Sequence, residues 1–171
     1  GDDEATQALE LIRQMKRGAV VVDVAIAYVK RPLPVDAQNV LQGSDLRELR
    51  SFNIGADLYV RDRAAVAAVE RNVTERVTQA SGLYDVREPE VSWDGATLVF
   101  AMRGPFIAGA DEEDQPTWNI WEYNFAADTL RRVISSDLNA EAGHDIAPAY
   151  LPDGRIVFSS TRQRQSKAVL I

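Results

Sequence analysis

The pattern of apolar and polar residues predicts one helix and one strand at the start of the chain. Apolar positions spaced by three and four residues predict a helix over residues 2–17. Acidic residues open this segment, and Lys16 and Arg17 close it, as the helix dipole favours. The next run, 19–30, is rich in β-branched residues and predicts a strand that ends before Pro32. The apolar positions of the helix are Ala5, Ala8, Leu9, Ile12 and Met15.

Beyond a connecting segment over residues 35–55, in which Ser44 could cap a short helical turn, the pattern becomes one of short strands. Turn-forming residues separate these strands, which is typical of all-β architecture. The segment 62–71 has two interpretations: its alanines favour a helix, and its position between strand-like segments favours a long hairpin loop. The predicted strands are 57–61, 88–93, 97–102, 119–125, 130–134, 147–151 and 155–159.

An internal repeat is the most informative feature of the sequence. Pro89 and Pro148, which lie 59 positions apart, are each followed at the same distance by an Asp-Gly pair. Each proline is also followed at the same distance by a closing arginine, Arg103 or Arg162. A weaker pair of segments, DLYVRD and NIWEYN, recurs at nearly the same offset. The strong copies cover residues 85–103 and 145–162, and the weaker copies begin at residues 57 and 119.

Each repeated unit can be interpreted as a hairpin that belongs to a larger sheet. The proline opens a strand where its missing N–H is harmless, and Asp-Gly supplies the positive-φ turn to the next strand. A Val-Phe pair provides bulk to pack between sheets. A strand with aromatic residues and a basic edge strand then complete a four-stranded sheet, which is the blade of a propeller. The pairs are Asp94-Gly95 with Val99-Phe100, and Asp153-Gly154 with Val157-Phe158.

These motifs resemble the repeat of TolB-like β-propellers. The wording REPEVSWDGATLVFAMR, NIWEYN and HDIAPAYLPDGRIVFSSTRQR is most similar to proteins related to the alpha subunit of hydrazine synthase. The resemblance implies a mainly β chain: a partial TolB-like β-propeller of about two four-stranded blades, with an N-terminal helix. Residues 1–55 would be the lead of helix, strand and connection, and residues 56–171 the blades.

The resemblance also implies a larger, exported protein with more blades and with haem-bearing regions. The chain has no cysteine, so it lacks the C-x-x-C-H motif that attaches haem covalently. None of the family's haem attachment carries over to these residues. We therefore expect no cofactor here, and expect the periplasm or cell envelope as the location.

Composition and charge limit the classes of partner. Hydrophobic residues make up 46% of the chain, enough for a packed core, and the formal net charge is −7. Because an acidic chain lacks the positive surface that a phosphate backbone needs, we expect no nucleic acid partner. The most apolar run, 19–29, contains Asp23 and is too short to span a membrane. The expected partner is a protein or the remaining propeller blades.

Four residues are candidates for facing a ligand: His144, Asp145, Arg103 and Arg162. His144 is the one histidine of the chain, and a general base or metal ligand would need partners from elsewhere. The arginines end equivalent strands, where they could meet an anion. Strand-entry turns and structural pairing with Asp85 or Asp145 explain the same residues, and we favour that interpretation.

Other candidate chemistry has a structural interpretation that we favour. The acidic loop 111–114 could bind calcium but lacks the alternating spacing of a calcium loop, so we expect a solvated loop. No catalytic or metal-binding set is predicted. A group of aromatic residues could form a sugar platform, but we expect them to pack between sheets: Trp93, Trp118, Trp121, Tyr123 and Tyr150.

The sequence therefore predicts a non-catalytic binding or scaffold module of a larger exported protein, which mediates protein–protein interaction. Two alternatives stay open. One is a segment of a redox enzyme subunit that resembles hydrazine synthase alpha, with haem sites outside this chain. The other is the gating propeller of a serine peptidase. A downstream C-x-x-C-H or G-x-S-x-G motif would distinguish them.

Overall fold

The computed structural model describes residue 6 and residues 24–32, 48–65 and 67–162. The chain divides into two compact units, residues 1–26 with 61–69, and residues 27–60 with 70–171. The predicted helix over residues 2–17 lies outside the described residues apart from Thr6. The predicted cap at Ser44 also lies outside them.

The described residues are mainly β, with nine strands in three antiparallel sheets. Sheet A has the order β1-β2-β3, sheet B the order β4-β5-β6-β7, and sheet C contains β8 and β9. Two single-turn helices, α1 and α2, follow β3 and β7. The bounds are β1 Ile26–Lys30, β2 Asp57–Arg61, β3 Glu70–Asn72, α1 Glu75–Thr78, β4 Asp85–Val91, β5 Thr97–Arg103, β6 Asn119–Asn124, β7 Thr129–Arg132, α2 Asp137–Ala140, β8 Asp145–Tyr150 and β9 Ile156–Ser160.

Each predicted strand from residue 57 onward overlaps an observed strand, with the largest shift at β4, which begins three residues before the prediction. The segment 62–71 agrees with the hairpin alternative, because β2 and β3 are neighbours in sheet A and the described residues between them contain no helix. Residues 62–64 form bends in the first unit, where Arg61 Nη1 donates a 3.5 Å hydrogen bond to the carbonyl of Ala65. Its last residues form strand β3 in the second unit.

Strand β5 is buried on both of its faces, because sheet B lies between sheets A and C. Alternate side chains of a strand point to opposite faces. Leu98, Phe100 and Met102 pack in a cluster with residues of sheet A, and Val99 and Ala101 pack in a second cluster with residues of sheet C. The buried partners in the first cluster are Ala56, Leu58, Val60, Val73, Val86 and Tyr123, and those in the second are Trp118, Ile120 and Tyr150.

The hairpins β4–β5 and β8–β9 share an irregularity next to their prolines. In each hairpin the ladder skips a residue, between Arg87 and Glu90 in the first and between Ile146 and Ala149 in the second. The residue before each proline has a positive φ, 56° at Glu88 and 51° at Ala147. A β-bulge of this kind bends the strand and leaves one residue outside the ladder.

The turns at the hairpin tips are also alike. Gly95 and Gly154 have φ values of 71° and 83°, and each donates its N–H to the carbonyl three residues earlier, at 2.9 Å in both turns. The predicted positive-φ turn is therefore confirmed at the glycines. The connections differ in length, since the first has four residues, 93–96, and the second has three, 152–154. In both, the glycine and not the aspartate has the positive φ.

The two bulges are linked directly. The Ala147 N–H donates a 2.7 Å hydrogen bond to Glu88 Oε2, and near the opposite end Trp93 Nε1 donates to the Tyr150 carbonyl at 3.0 Å. These bonds join strand β8 of sheet C to the first hairpin of sheet B at two points. The two hairpins thus lie side by side in adjacent sheets.

The Val-Phe pairs of the two hairpins differ in burial, which gives a matched stability test. Val99 is 0% exposed, and Val157 is 49% exposed. We expect Val99→Ala to lower the free energy of unfolding by about 2 kcal/mol, because it leaves a cavity between sheets B and C. Val157→Ala should cost less than about 0.5 kcal/mol. Equal losses in denaturant titrations of the two variants would contradict the arrangement of the sheets.

Candidate functional site

Arg103, one of the four candidates for facing a ligand, is held inside the fold. Its side chain is fully buried, and Nε donates to the Pro116 carbonyl at 2.6 Å. Nη1 donates to the Arg50 carbonyl at 3.0 Å, and Nη2 pairs with Glu112 Oε1 at 3.1 Å. The guanidinium also lies 4.5 Å from the ring centre of Phe52. Its ion-pair partner is therefore neither of the aspartates proposed from the sequence.

Asp145 and Arg162 form a buried ion pair at the open end of the hairpin β8–β9. The pairing of Arg162 with Asp145, considered as the structural alternative, is observed. Asp85 occupies the corresponding place at the start of β4, where Arg31 lies 3.3 Å from Oδ1 and the Asn53 N–H donates to Oδ2 at 2.8 Å. Burial raises the pKa of Asp85, although these neighbours oppose the shift.

His144 lies between sheets B and C at the same end. Its Nδ1 accepts a 3.1 Å hydrogen bond from the Trp118 N–H, and its backbone N–H donates to Thr161 Oγ1 at 2.8 Å. Burial lowers the pKa of His144, and the positive charge of Arg103 lowers it further. The imidazole is thus kept neutral as an acceptor for a backbone donor.

A short segment over residues 48–53 crosses this end and was not recognised from the sequence. Two buried side chains donate to its carbonyls: Arg87 Nη1 of β4 donates to Glu48 O at 3.1 Å, and Nε1 of Trp118, just before β6, donates to Leu49 O at 3.0 Å. The Arg87 guanidinium also lies 4.1 Å from the Trp118 ring centre. We call Arg31, Arg87, Arg103 and Arg162 together the basic end of the sheets.

The basic end therefore contains two of the four candidate residues, Arg103 and Arg162, and the other two, His144 and Asp145, lie at the same end of the sheets and also bond to the chain itself. Each of the two arginines, Arg103 and Arg162, has a carbonyl or carboxylate partner within the fold. Whether any of the four also faces a ligand stays a prediction.

The acidic loop 111–114 is exposed and contains a single 3-10 turn, Glu112–Asp114. Glu112 reaches back to Arg103. Among the described residues no group of three or more histidine and carboxylate side chains is placed to hold a metal ion.

The opposite end of sheets B and C carries a pocket that the sequence analysis missed. It lies between the two hairpin turns and has a volume of about 330 Å³. Trp93 occupies the turn of the first hairpin and is 75% exposed. The lining residues are Ser92, Trp93, Asp94, Thr97, Glu122, Tyr150, Leu151, Pro152, Asp153 and Gly154.

The prediction that the aromatic residues occupy strands and pack between sheets is wrong for Trp93. Trp93 lies in the turn directly before Asp94-Gly95, so its ring is outside the core. Pro152 occupies the corresponding position in the second hairpin. Packing between sheets is confirmed for Trp118, Tyr123 and Tyr150, which are buried in the two clusters, although Trp118 lies just before β6 and not in a strand. A tryptophan directly before Asp-Gly was the signal that could have identified the pocket.

The pH dependence of stability should reveal the neutral His144. Because its folded pKa lies below the ordinary value of 6.5, the unfolded chain binds this proton more readily. We expect stability to be complete above about pH 6.5 and to fall as the pH drops from there through the folded pKa. His144→Asn keeps an acceptor near Nδ1 but cannot titrate. Unfolding curves between pH 5 and 8 that decline equally in both proteins would refute this assignment.

Removal of Arg162 tests the buried ion pair. We expect Arg162→Gln to cost about 3 kcal/mol of stability, because it leaves the Asp145 carboxylate buried without its cation. The matched control is Arg155→Gln, which breaks an ion pair with Asp153 at a side chain that is 75% exposed. That change should cost less than about 1 kcal/mol. The comparison requires only chemical denaturation, and a loss at Arg162 no larger than the control would rule out a structural role.

The described residues contain no helix with the length and apolar character needed to cross a membrane.

No protein-family model matches the chain, and no curated protein matches it. A solved structure described as Kuenenia stuttgartiensis Hydrazine Synthase is similar, with 13% sequence identity and a TM-score of 0.42. The match covers 82% of this chain, and this chain spans 17% of that one. The chain thus bears a distant structural resemblance to that protein, and a likeness of this size does not establish a shared fold, activity or partner.

Proposed function

We propose that this chain is a non-catalytic binding or scaffold module of a larger exported protein, built from consecutive blades of a β-propeller. In this proposal it associates with further β-strands through sheet C. Those strands belong either to the remaining blades or to a protein partner.

The architecture of sheet B supports the blade interpretation. It is a four-stranded antiparallel sheet in which each strand pairs with the next along the chain. Its β5 strand is buried on both faces by the neighbouring sheets. Blades of a propeller hide their faces against one another in the same way. The shared bulge and turn of β4–β5 and β8–β9 support the interpretation of sheet C as a second blade.

The open edge of β9 among the described residues is the observation that carries the proposed binding role. Within the described residues this sheet has two strands, and β9 pairs with β8 alone. Val157 on β9 is 49% exposed, whereas the corresponding Val99 of sheet B is buried. An open strand edge with exposed apolar residues is a template for pairing with another segment.

The use of the charged residues at the basic end supports a scaffold role over chemistry in this segment. Arg103 bonds to two backbone carbonyls and one carboxylate. His144 accepts from a backbone N–H, and Asp145 pairs with Arg162. These contacts hold the ends of the strands together, and they give each group a structural task.

A charge placed on the open edge tests the proposal. The assay immobilises the chain and captures its partner from the envelope fraction of the source cells. We expect Val157→Lys to weaken this capture by about tenfold, because a lysine on an edge strand opposes strand addition. Hydrogen exchange should show that the amides of β9 become protected when the captured partner is bound to the unmodified chain.

Val69→Lys is the matched control, because it makes the same change at a residue that is 82% exposed and outside the strands. Capture should be unaffected by it. The proposal fails if the β9 amides exchange at the same rate with and without the captured protein, or if both lysine variants bind as the unmodified chain does.

A further inference from the structure

The pocket between the two hairpin turns has an aromatic wall that is anchored but uncovered. The Trp93 indole N–H is fixed by its 3.0 Å bond to the Tyr150 carbonyl, yet the side chain is 75% exposed. A large exposed aromatic residue held in one position is a feature of ligand sites more than of ordinary surface.

Three side-chain hydrogen-bond donors around the pocket are already used within the protein. Ser92 Oγ donates to Asp94 Oδ1 at 2.6 Å, and the Tyr150 hydroxyl donates to Glu122 Oε1 at 2.8 Å. The Trp93 N–H is taken by the Tyr150 carbonyl. A ligand that needs to accept hydrogen bonds therefore finds few donors here.

The negative charges around the pocket are only partly compensated. Glu122 pairs with Arg131, and Asp153 pairs with Arg155 at 2.7 Å. Asp94, next to Trp93, forms no ion pair within the described part of the chain. Hydrogen bonds from Ser92 and the Ala96 N–H lower the pKa of Asp94, so it stays ionised.

We infer that this pocket binds an organic ammonium cation, which contacts the Trp93 ring and the Asp94 carboxylate together. An ammonium group carries only donors, which complement the carboxylate acceptors, and its charge is attracted by the face of an indole. A sugar hydroxyl would need donors as well as acceptors, and an anion would be repelled. The site goes beyond the proposed strand addition, because it lies at the hairpin turns and uses none of the atoms of the β9 edge.

The test is a titration of the protein with n-butylammonium chloride, followed through the indole N–H signal of Trp93 in nitrogen-edited NMR spectra. 1-Butanol is the neutral probe with the same alkyl chain. We expect saturable binding of the ammonium, and we expect the dissociation constant of the alcohol to be at least about threefold larger. A blocked tripeptide with a central lysine distinguishes a peptide side chain from a free amine as the source of the cation.

Two variants locate the site. Asp94→Asn keeps Oδ1 as the acceptor for Ser92 and Ala96 but removes the charge, and Trp93→Leu removes the aromatic face. In the Trp93→Leu protein the backbone signal of Asp94 serves as the reporter. We expect each variant to weaken butylammonium binding by at least about threefold. Asp94→Asn should leave the thermal midpoint unchanged, whereas Trp93→Leu also loses the bond to the Tyr150 carbonyl and should lower the midpoint while keeping the dispersed NMR spectrum of the folded protein.

Asp111→Asn is the charge-matched control in the acidic loop and should leave binding unchanged. Equal weakening by Asp94→Asn and Asp111→Asn would overturn the site, since it would show a response to net charge. Equal binding of butanol and butylammonium, or binding of glucose in preference to both, would overturn the ligand class. None of these outcomes depends on capture through β9.

Discussion

The constraint on which the structure depends is that the middle sheet is apolar on both faces. Leu98, Phe100 and Met102 need cover on one side, while Val99 and Ala101 need it on the other. A sheet of this kind cannot be stable alone in water, because burying one face leaves the other exposed. Sheets A and C are therefore required for sheet B to form. Sheet C also has an apolar residue that needs cover, because Val157 of its second strand is exposed.

The two ends of the stacked sheets serve different purposes. At one end, arginines bond to carboxylates and to the carbonyls of residues 48–53, and these bonds hold the strand ends in place. At the other end, two glycine-containing turns leave a pocket with an indole on its rim. The packed strand ends thus form a fixed frame, and the turns at the other end form the exposed surface. Binding residues of proteins often lie on loops that a rigid frame positions.

Local sequence determines the strands and the turns, and for that reason both were predictable. Alternating apolar residues and the glycines at 95 and 154 are sufficient without knowledge of the rest of the chain. The partners of Arg103 were not predictable, because they come from residues 50, 112 and 116 through the fold. Residues 48–53 carry no periodic pattern, and three of their contacts with the sheets use backbone carbonyls, which any residue supplies. Trp93 is exposed because it lies in a turn. This was not predicted from the sequence, because the predicted strand ends at residue 93, two residues after the end of β4.

The bond between the two bulges sets a direction along the stack. A bulge leaves a main-chain donor outside its own ladder, and at Ala147 that donor is satisfied by the carboxylate of Glu88 in the preceding sheet. Ala147 has only a methyl group at the equivalent position, so it cannot offer the same acceptor to a successor. The join therefore has a direction: a sheet lying against the far side of sheet C would have to satisfy its own bulge by other means, and a second copy of the β8–β9 hairpin would not reproduce this bond.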